Sequence, residues 1–203
     1  MNRCIIVGAG DCNPALIASR TCGELFIAAD GGLPTLLAAG ITPDYWIGDC
    51  DSLSEYPSAI PAKRLPTVKD DTDLIAACRY GLSQGFRSFL LYGVLGGERF
   101  SHSIAAVQTL TFLKDNGADA LILDERARIR LLRNETVSVT ETANRFFSLF
   151  ALSEDASVSI TGAKYPLTHA RLSAHFPLGI SNEFDLPTEI AAESGDVLLV
   201  IDG

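Results

Sequence analysis

The sequence is poor in basic residues, has no long apolar run and contains few cysteines. Lysine and arginine number 16 against 25 aspartates and glutamates, which gives a formal net charge of -9. Nonspecific nucleic-acid binding depends on basic side chains that neutralise phosphates, so this balance argues against it. An anionic ligand would have to be held by backbone N–H groups, a few basic side chains or a metal ion.

No stretch approaches the roughly 20 apolar residues of a membrane span, and the apolar part of the N-terminus is too short for a signal peptide. The five cysteines form no C-x-x-C pair, which predicts reduced thiols in or beside the core and disfavours a zinc site. We therefore expect a cytoplasmic protein. With 203 residues, 47% of them hydrophobic, the chain can form one large domain or two small ones.

The first part of the chain alternates apolar runs with helix-like segments. The runs CIIVG, LFIAAD, DYWIGD, SFLLYG and DALILD are typical of strands buried on both faces. The helix-like segments between them include residues 33–40, 72–85 and 103–117. This alternation predicts an α/β fold with a Rossmann-like, mainly parallel sheet and flanking helices.

After about residue 130 the pattern changes to short strand candidates separated by polar turns, with little helical periodicity. Such a pattern is typical of antiparallel sheets, and we predict a C-terminal antiparallel β-sandwich. The predicted domains are residues 1–130 and 131–203.

Acidic residues recur at the carboxyl ends of the predicted strands. Asp30 ends LFIAAD, Asp49 and Asp51 follow DYWIG, and KDDTD (69–73) precedes a helix. Open parallel sheets bind ligands at that edge. Residues i and i+2 of an extended chain project to one side about 7 Å apart. Asp49 and Asp51 could therefore bind one hard cation, for which Mg²⁺ is the natural candidate.

The loop GVLGGERFSH (93–102) has the features of a phosphate contact. Gly96 and Gly97 permit close backbone approach, Arg99 can pair with phosphate oxygens, and His102 can donate a hydrogen bond. Each motif also has a plainer interpretation: a solvated turn for D-x-D, helix capping for KDDTD, a turn with positive φ for ADGG, and a simple strand-to-helix connection for this loop. Their joint occurrence at the ends of different strands favours a binding site.

The motifs ADGG, GITPDYWIGDCDSL, KDDTD and GVLGGERFSHSIA resemble, in order and spacing, those of the thiamine pyrophosphokinase family. That family's pattern is approximately ADGG, G-x-x-P-D, G-D-F-D-S, K-D-x-T-D and G-x-x-G-G-R-x-D-H. The stretches GAKYPL (162–167), GISNEF (179–184) and the final GDVLLVI look like the family's thiamine-binding domain. The resemblance covers nearly the whole chain. It implies an ATP-binding catalytic domain (1–130), a thiamine-binding β-sandwich (131–203) and a homodimer with active sites between subunits.

The resemblance also implies roles for individual residues. The magnesium ligands would be Asp49, Asp51 and Asp73. For the reaction itself, we expect a nearby carboxylate, Asp71 or Asp73, to accept the hydroxyl proton and complete the catalytic set. The residues around ATP would be Asp30, Gly31, Lys69, Thr72, Arg99 and His102. Thiamine would be held by Ser181 and Asn182, and Tyr165 could supply the aromatic surface that a flat cation needs. Tyr165 could also be an aromatic residue that covers the core at the edge of the sandwich.

Four positions depart from the family pattern. Ser101 replaces an aspartate before His102, Ala106 replaces an asparagine, Cys50 replaces a phenylalanine, and Glu98 is an extra residue between the glycine pair and the arginine. The missing carboxylate at Ser101 would remove one contact to metal or substrate hydroxyl and leave the main acidic cluster in place.

The predicted activity is transfer of the diphosphoryl group of ATP to the hydroxyl of thiamine, which gives thiamine diphosphate and AMP. The thiamine oxygen would attack the β-phosphorus in line, with magnesium offsetting the charge. Three alternatives remain open: a diphosphokinase that acts on another heteroaromatic alcohol such as a pterin, a non-catalytic thiamine or nucleotide binder, and a nucleotide-sugar transferase that uses its own D-x-D.

Overall fold

The computed structural model describes residues 2–48, 60–64, 71–140 and 145–203. The chain divides into two compact units, Met1–Glu125 (unit 1) and Arg126–Gly203 (unit 2). No helix within the described ranges has both the length and the apolar character needed to cross a membrane.

Unit 1 contains short strands that pair in parallel. Their order across the sheet is the sixth, fifth, first, second, third and fourth along the chain, and each neighbouring pair is parallel. All four residues of the first strand are buried, as expected for a strand covered on both faces. The strands are β1 (Cys4–Val7), β2 (Leu25–Ala29), β3 (Tyr45–Gly48), β4 (Ala62–Arg64), β5 (Ser88–Tyr92) and β6 (Asp119–Leu123).

Helices cover both faces of this sheet. They are α1 (Leu33–Ala38), α2 (Asp73–Ser83) and α3 (Phe100–Asp115), with two 3₁₀ turns at Pro14–Leu16 and Asp30–Gly32. On one face, Ile5 of β1 shares a buried cluster with Leu36 of α1. On the other face, Gly81 of α2 packs so closely on the sheet that an added Cβ would lie 2.8 Å from the Cys4 Sγ atom and from the Phe89 ring. Helix α2 therefore sits directly on the strands, without an intervening side chain at that position.

Unit 2 consists of antiparallel strands arranged around one long strand. The strands are β7 (Ala127–Val139), β8 (Phe146–Ala151), β9 (Ser157–Ala163), β10 (Leu167–Arg171) and β11 (Gly179–Asp202). Strand β11 pairs with β7, β8 and β9. Residues Phe147 and Leu149 of β8 pair with the beginning of β11 and again with its end, so both edges of β8 are occupied by the same strand. The sheet thereby closes on itself around a core of side chains that includes Phe147, Phe184 and Ile190.

The two long strands bend at matched irregularities. Strand β7 contains Asn134 at a φ of +50°, and the pairing with β11 shifts register between Ala192 and Asp196. Beside this bulge, Arg133 Nη2 donates to Asp196 Oδ2 at 2.8 Å, and its Nε donates to Oδ1 at 2.5 Å. A bulge increases local twist and bends a strand, which allows one 24-residue strand to serve several partners.

The predicted fold class, a Rossmann-like mainly parallel sheet with flanking helices plus an antiparallel sandwich, is wrong for this chain. The longest strands, of 13 and 24 residues, are antiparallel, and helices are few among the described residues. In unit 1, β2, β3 and β4 lie on one side of β1 and β5 and β6 lie on the other. In the Rossmann order 3-2-1-4-5-6, the fourth strand lies on the opposite side of the first strand from the second and third. In unit 2 the strands close into a barrel-like array and do not form two stacked sheets.

The local sequence pattern explains why a sandwich of short strands was predicted for unit 2. The apolar runs RIRLLR and ETVSVTE read as two strands because polar residues separate them. The backbone continues through Asn134 as a single bulged strand, β7. The runs GISNEF and GDVLLVI are likewise joined in β11.

Candidate active site

A cleft of about 730 Å³ opens at the carboxyl ends of β1, β2 and β5 in unit 1. Because these strands are parallel neighbours, the chain segments that follow them meet at one edge of the sheet. The side of the cleft beyond β2 is formed by the start of α2. The lining residues that matter below are Gly8, Gly10, Asp30, Asp73, Arg99 and His102.

Two glycine-rich loops, Gly8–Gly10 and Gly93–Gly97, form the floor of the cleft, and we call them together the glycine platform. The Gly8 N–H donates to the Tyr92 carbonyl at 2.8 Å, and the Gly10 N–H donates to the Gly93 carbonyl at 2.7 Å. A Cβ on Gly10 would lie 2.5 Å from the Leu95 carbonyl oxygen. Glycine is therefore required at position 10 because the two backbones touch.

The Gly93–Gly97 loop has a backbone that other residues rarely adopt. The φ angles of Gly93, Gly96 and Gly97 are +60°, +72° and +75°. Glycine reaches this left-handed region without steric cost. The loop can therefore present backbone groups, with no side chains at these positions, to a ligand in the cleft.

Helix α3 begins beside the glycine platform. Arg99 occupies the N-cap position, and no side chain caps the helix among the described residues. The first N–H groups of a helix without such a cap are available to an anion, and the helix dipole favours negative charge there. The exposed Arg99 and His102 side chains line the same part of the cleft, so this side suits a phosphate chain.

The opposite side of the cleft carries two carboxylates, Asp30 and Asp73. Asp30 follows β2 with a φ of +50°, and its carbonyl accepts a hydrogen bond from Trp46 Nε1 at 2.9 Å. Its Oδ1 atom is buried and has no hydrogen-bond partner in the described part of the chain. A buried carboxylate oxygen without a partner is costly, and the residue that carries it lines a cleft where a ligand can provide the partner.

The remaining predicted residues near α2 are divided between the cleft and its surroundings. Thr72 lines the cleft, but its hydroxyl accepts from the Ile75 N–H at 3.2 Å as the N-cap of α2. Asp71 is absent from the cleft lining and forms an ion pair with Arg79 at 3.0 Å. Gly31 lies in the 3₁₀ turn after β2 and also does not line the cleft.

Three predicted residues, Asp49, Asp51 and Lys69, lie outside the described residues. Among the residues that are described, no group of three or more His, Cys, Asp or Glu side chains is arranged to hold a metal. The metal-ligand prediction for Asp49, Asp51 and Asp73 therefore stays a prediction.

In unit 2, Ser181 and Asn182 of β11 lie beside Tyr165, which is in the bend between β9 and β10, and we call these three residues the Asn182 turn. Asn182 is 6% exposed, and its Oδ1 accepts from the N–H groups of Tyr165 and Glu183 at 3.0 Å and 2.9 Å. Its Nδ2 donates to the Tyr165 carbonyl at 2.7 Å. Ser181 has a φ of +55°, and its N–H donates to Ser148 Oγ at 3.1 Å. Asn182 thus holds the backbone of Tyr165, a residue that is 57% exposed.

Two buried thiols of unit 1 belong to the core and take no part in the site. Burial raises the pKa of the Cys78 thiol, and burial together with the neighbouring Cys78 and Asp44 raises that of Cys4. Both side chains therefore stay neutral thiols at physiological pH. Neither has the lowered pKa of a nucleophilic cysteine.

The sequence reading missed the first half of the glycine platform. The stretch GAG (8–10) directly follows the apolar run CIIV, and a G-x-G after a strand is part of the signature of phosphate-binding loops. That spacing could have identified Gly8 and Gly10.

Ser101, where the family pattern has an aspartate, is exposed in the first turn of α3 and does not line the cleft.

A glycine platform, a helix N-terminus with arginine, and facing carboxylates at one edge of a parallel sheet are typical of enzymes that bind nucleotides and transfer phosphate groups. Residues 21–122 match the family model for the thiamin pyrophosphokinase catalytic domain. Residues 134–195 match the model for the thiamin pyrophosphokinase vitamin B1 binding domain.

Known proteins of similar sequence and structure agree with these matches. The thiamine pyrophosphokinase of Bacillus subtilis (strain 168) is 30% identical over 167 residues, which covers 78% of each chain. A crystal structure of thiamine pyrophosphokinase from Bacillus subtilis superposes with a TM-score of 0.85 at 25% identity, over 98% of both chains. That from Geobacillus thermodenitrificans gives 0.83 at 26% identity, over 99% of this chain and 97% of the other.

The chain belongs to the thiamine pyrophosphokinase family. Its function is that of a kinase of thiamine diphosphate biosynthesis, and the family uses ATP as co-substrate and binds thiamine. The predictions of family, function and enzyme class are confirmed. The comparisons favour thiamine over the alternative alcohols and over a non-catalytic binder.

Proposed function

We propose that the unit 1 cleft binds the phosphate chain of ATP and is the place where its diphosphoryl group is transferred to thiamine. The observation that carries this proposal is the arrangement of the cleft, which has the glycine platform and the start of α3 on one side and Asp30 and Asp73 on the other. The first side is suited to anionic oxygens, and the second is suited to a cation or a proton.

Arg99, His102 and the first N–H groups of α3 would hold the phosphate oxygens. A chain with a formal charge of -9 must attract a polyanion locally, and guanidinium and backbone N–H groups achieve this over a few ångströms. Lys69, which lies outside the described residues, is proposed to add a further positive charge. Thr72 and Gly31 are proposed to lie near the nucleotide, with the Thr72 hydroxyl also engaged as the helix cap.

We further propose that Mg²⁺ acts in this cleft. Asp30 Oδ1, buried and lacking a described partner, and the Asp73 carboxylate are oxygen donors of the type that Mg²⁺ prefers. Asp49 and Asp51 are proposed to join Asp73 as ligands, since they directly follow β3, the neighbour of β2. When bound, the ion would offset phosphate charge and polarise the β-phosphoryl group.

In the proposed reaction the thiamine hydroxyl oxygen forms a bond to the β-phosphorus while the bond from that phosphorus to the α-phosphate oxygen breaks. AMP leaves with the electron pair of that bond, and a carboxylate accepts the hydroxyl proton. We assign the proton to Asp73 because it lines the cleft, whereas Asp71 does not. Most of the rate would come from positioning and charge stabilisation.

The thiamine site is proposed to include Tyr165, Ser181 and Asn182 of unit 2. A cationic, flat ligand suits an exposed aromatic ring. Tyr165 is exposed, its ring already has the Lys164 Nζ atom 5.6 Å from its centroid, and its backbone is fixed by Asn182. Asn182 would act chiefly by holding this turn, since three backbone groups already use its amide.

We also propose a cytoplasmic homodimer with active sites at the subunit interface. The exposed apolar side chains of unit 2, Phe176, Leu178 and Ile180, support an interface, because apolar patches of soluble proteins often mark contacts with other chains. Light scattering over a range of protein concentrations tests the assembly. A monomer at every concentration would contradict it.

An assay of AMP and thiamine diphosphate with matched aspartate variants tests the site. The purified chain with Mg²⁺, ATP and thiamine should form both products in equal amounts, and Asp73→Asn should lower kcat by about 10²–10³-fold. Asp30→Asn should raise the Mg²⁺ concentration needed for half-maximal rate. Asp71→Asn is the matched control, because Asp71 is only two residues before Asp73 and forms an ion pair with Arg79 outside the cleft. This variant should retain kcat within about threefold.

Other outcomes would select a different assignment. A large loss in Asp71→Asn with a small one in Asp73→Asn would make Asp71 the proton acceptor. Unchanged metal dependence in Asp30→Asn would remove that carboxylate from the metal site.

A further inference from the structure

Ser103 of α3 is hydrogen-bonded to the glycine platform. Its Oγ accepts from the Gly96 N–H at 3.0 Å in a partly buried position. Ser103 directly follows His102 in the first turn of α3, yet it is not a lining residue of the cleft. The contact therefore joins the helix that carries the basic side chains to the Gly93–Gly97 loop.

Asp11 approaches the same loop from the other half of the platform. Its Oδ2 accepts from the Gly97 N–H at 3.4 Å, and it would lie 3.1 Å from a Cβ placed on Gly96. Like Ser103, Asp11 is not a lining residue of the cleft. Two neighbouring N–H groups of the loop are thus held by side chains that belong to two different elements.

Such contacts matter because the loop is rich in glycine. Glycine loses more conformational freedom on ordering than any other residue, and three of the five residues from 93 to 97 are glycines at positive φ. A loop that must become ordered when ligand binds weakens binding by the free energy of that ordering. Side chains that hold it beforehand remove this cost.

We propose that Ser103 and Asp11 are positioning residues that hold the Gly93–Gly97 loop in the conformation that receives the phosphate chain of ATP. The inference rests on the proposed function of the cleft. Ser103 is the stronger of the two because its hydrogen bond is shorter. Neither residue touches the reacting atoms.

The test compares Ser103→Ala, Ser103→Thr and Ser83→Ala. ATP binding is measured by calorimetry with Mg²⁺ and without thiamine, and KM is then measured for each substrate. Ser103→Ala should weaken ATP binding and raise the KM for ATP about fivefold, the effect of one hydrogen bond, while the KM for thiamine changes less than about twofold. Ser103→Thr keeps the hydroxyl and should restore both values.

Ser83→Ala is the matched control, because Ser83 also bonds to one backbone group, the Tyr80 carbonyl, but on α2 away from the cleft lining. It should bind ATP as the unaltered chain does. Asp11→Ala should weaken ATP binding by a smaller factor, about twofold to threefold, and Asp11→Asn, which keeps an acceptor oxygen, should restore it. Because both contacts hold one loop, the double alanine variant should lose less than the product of the two single losses.

Equal ATP affinity in the unaltered chain and Ser103→Ala would overturn the inference. So would an equal change in the two KM values, or a threonine variant as weak as the alanine one, since either would indicate general loosening of the structure. If the unaltered chain binds ATP but makes no thiamine diphosphate, the proposed function fails, and the calorimetric comparison still decides the role of Ser103.

Discussion

The glycine platform of unit 1 and the Asn182 turn of unit 2 are rigid for opposite reasons. In the platform, backbone lies directly against backbone, as at Gly10 and Leu95, and positions 8 and 10 tolerate no added atom. In the turn, one side-chain amide bonds three backbone groups of Tyr165 and Glu183, and the position tolerates no lost atom. Adding a methyl group should therefore damage the first region, and removing an amide should damage the second.

The largest expected effect is that of Gly10→Ala. The new Cβ would lie 2.5 Å from the Leu95 oxygen and 2.8 Å from the Gly93 oxygen, so the two loops must separate. We expect kcat/KM for ATP to fall about 100-fold, equivalent to about 2.7 kcal/mol, measured by AMP release. The loss is attributed to misplacement of the phosphate contacts.

Gly117→Ala is the control for that change. Gly117 follows α3, and a Cβ there would meet no atom within 4 Å, although its φ is +68°. It should cost about 1 kcal/mol of stability through backbone strain and leave the rate within twofold. A Gly10→Ala enzyme with a near-normal rate would show that close backbone packing is not needed for catalysis.

The next effect is that of Asn182→Ala. Removal of the amide leaves the Tyr165 N–H and carbonyl and the Glu183 N–H without their partner, which should lower the free energy of unfolding by about 2–4 kcal/mol, measured by denaturant titration. We also expect the KM for thiamine to rise about tenfold while that for ATP stays within twofold. Asn116→Ala, which removes one exposed bond to the Phe112 carbonyl, should cost less than about 1 kcal/mol. An equal rise in the KM values for thiamine and ATP in Asn182→Ala would contradict the proposal that unit 2 binds thiamine and the platform binds ATP.

The smallest effect is that of Glu24, a residue of unit 1 that does not line the cleft. Changing it should alter the stability of unit 1 and leave the catalytic rate unchanged. Burial alone would raise the pKa of Glu24, but hydrogen bonds from the Thr21 N–H and from Arg3 outweigh it and hold this pKa below its usual value. The unfolded state therefore binds more protons near the usual carboxyl pKa, and stability falls as the pH drops below about 4.5.

Glu24→Gln should remove that part of the pH dependence and lower the free energy of unfolding at pH 7 by about 1–2 kcal/mol, with kcat unchanged. Denaturant titrations from pH 3 to 7 measure both effects. Glu183→Gln, which weakens an exposed pair with Lys164, should change stability by less than about 0.5 kcal/mol. Parallel pH curves for the unaltered chain and Glu24→Gln would contradict the assignment.

Much of the cleft could be anticipated from the sequence because its acidic and basic residues follow strands or begin helices. Asp30, Thr72, Asp73, Arg99 and His102 all line one cleft, since carboxyl ends of parallel neighbours share an edge. Their chemical roles remain predictions. The family and its reaction were also within reach, because several motifs recur in a fixed order.

Other features depend on contacts between distant residues, which local patterns do not contain. The contact of Gly10 with Leu95 and that of Asp11 with Gly97 join segments more than 80 residues apart. The closure of unit 2 requires β8 to pair with both ends of β11, and apolar alternation cannot say which strands are partners. The role of Asn182 as a backbone clamp likewise appears only when its amide contacts are known.

The missing side chain at Gly81 has a consequence for the chemistry at the other end of α2. Because a Cβ there would press on Cys4 and Phe89, the width of this one contact sets how far the helix axis stands from the strands. Asp73 begins the same helix, about 12 Å along it at 1.5 Å per residue. The position of the proposed proton acceptor therefore depends on the absence of a side chain at residue 81. We expect Gly81→Ala to move the helix away from the strands and so displace the Asp73 carboxylate, although residue 81 does not line the cleft.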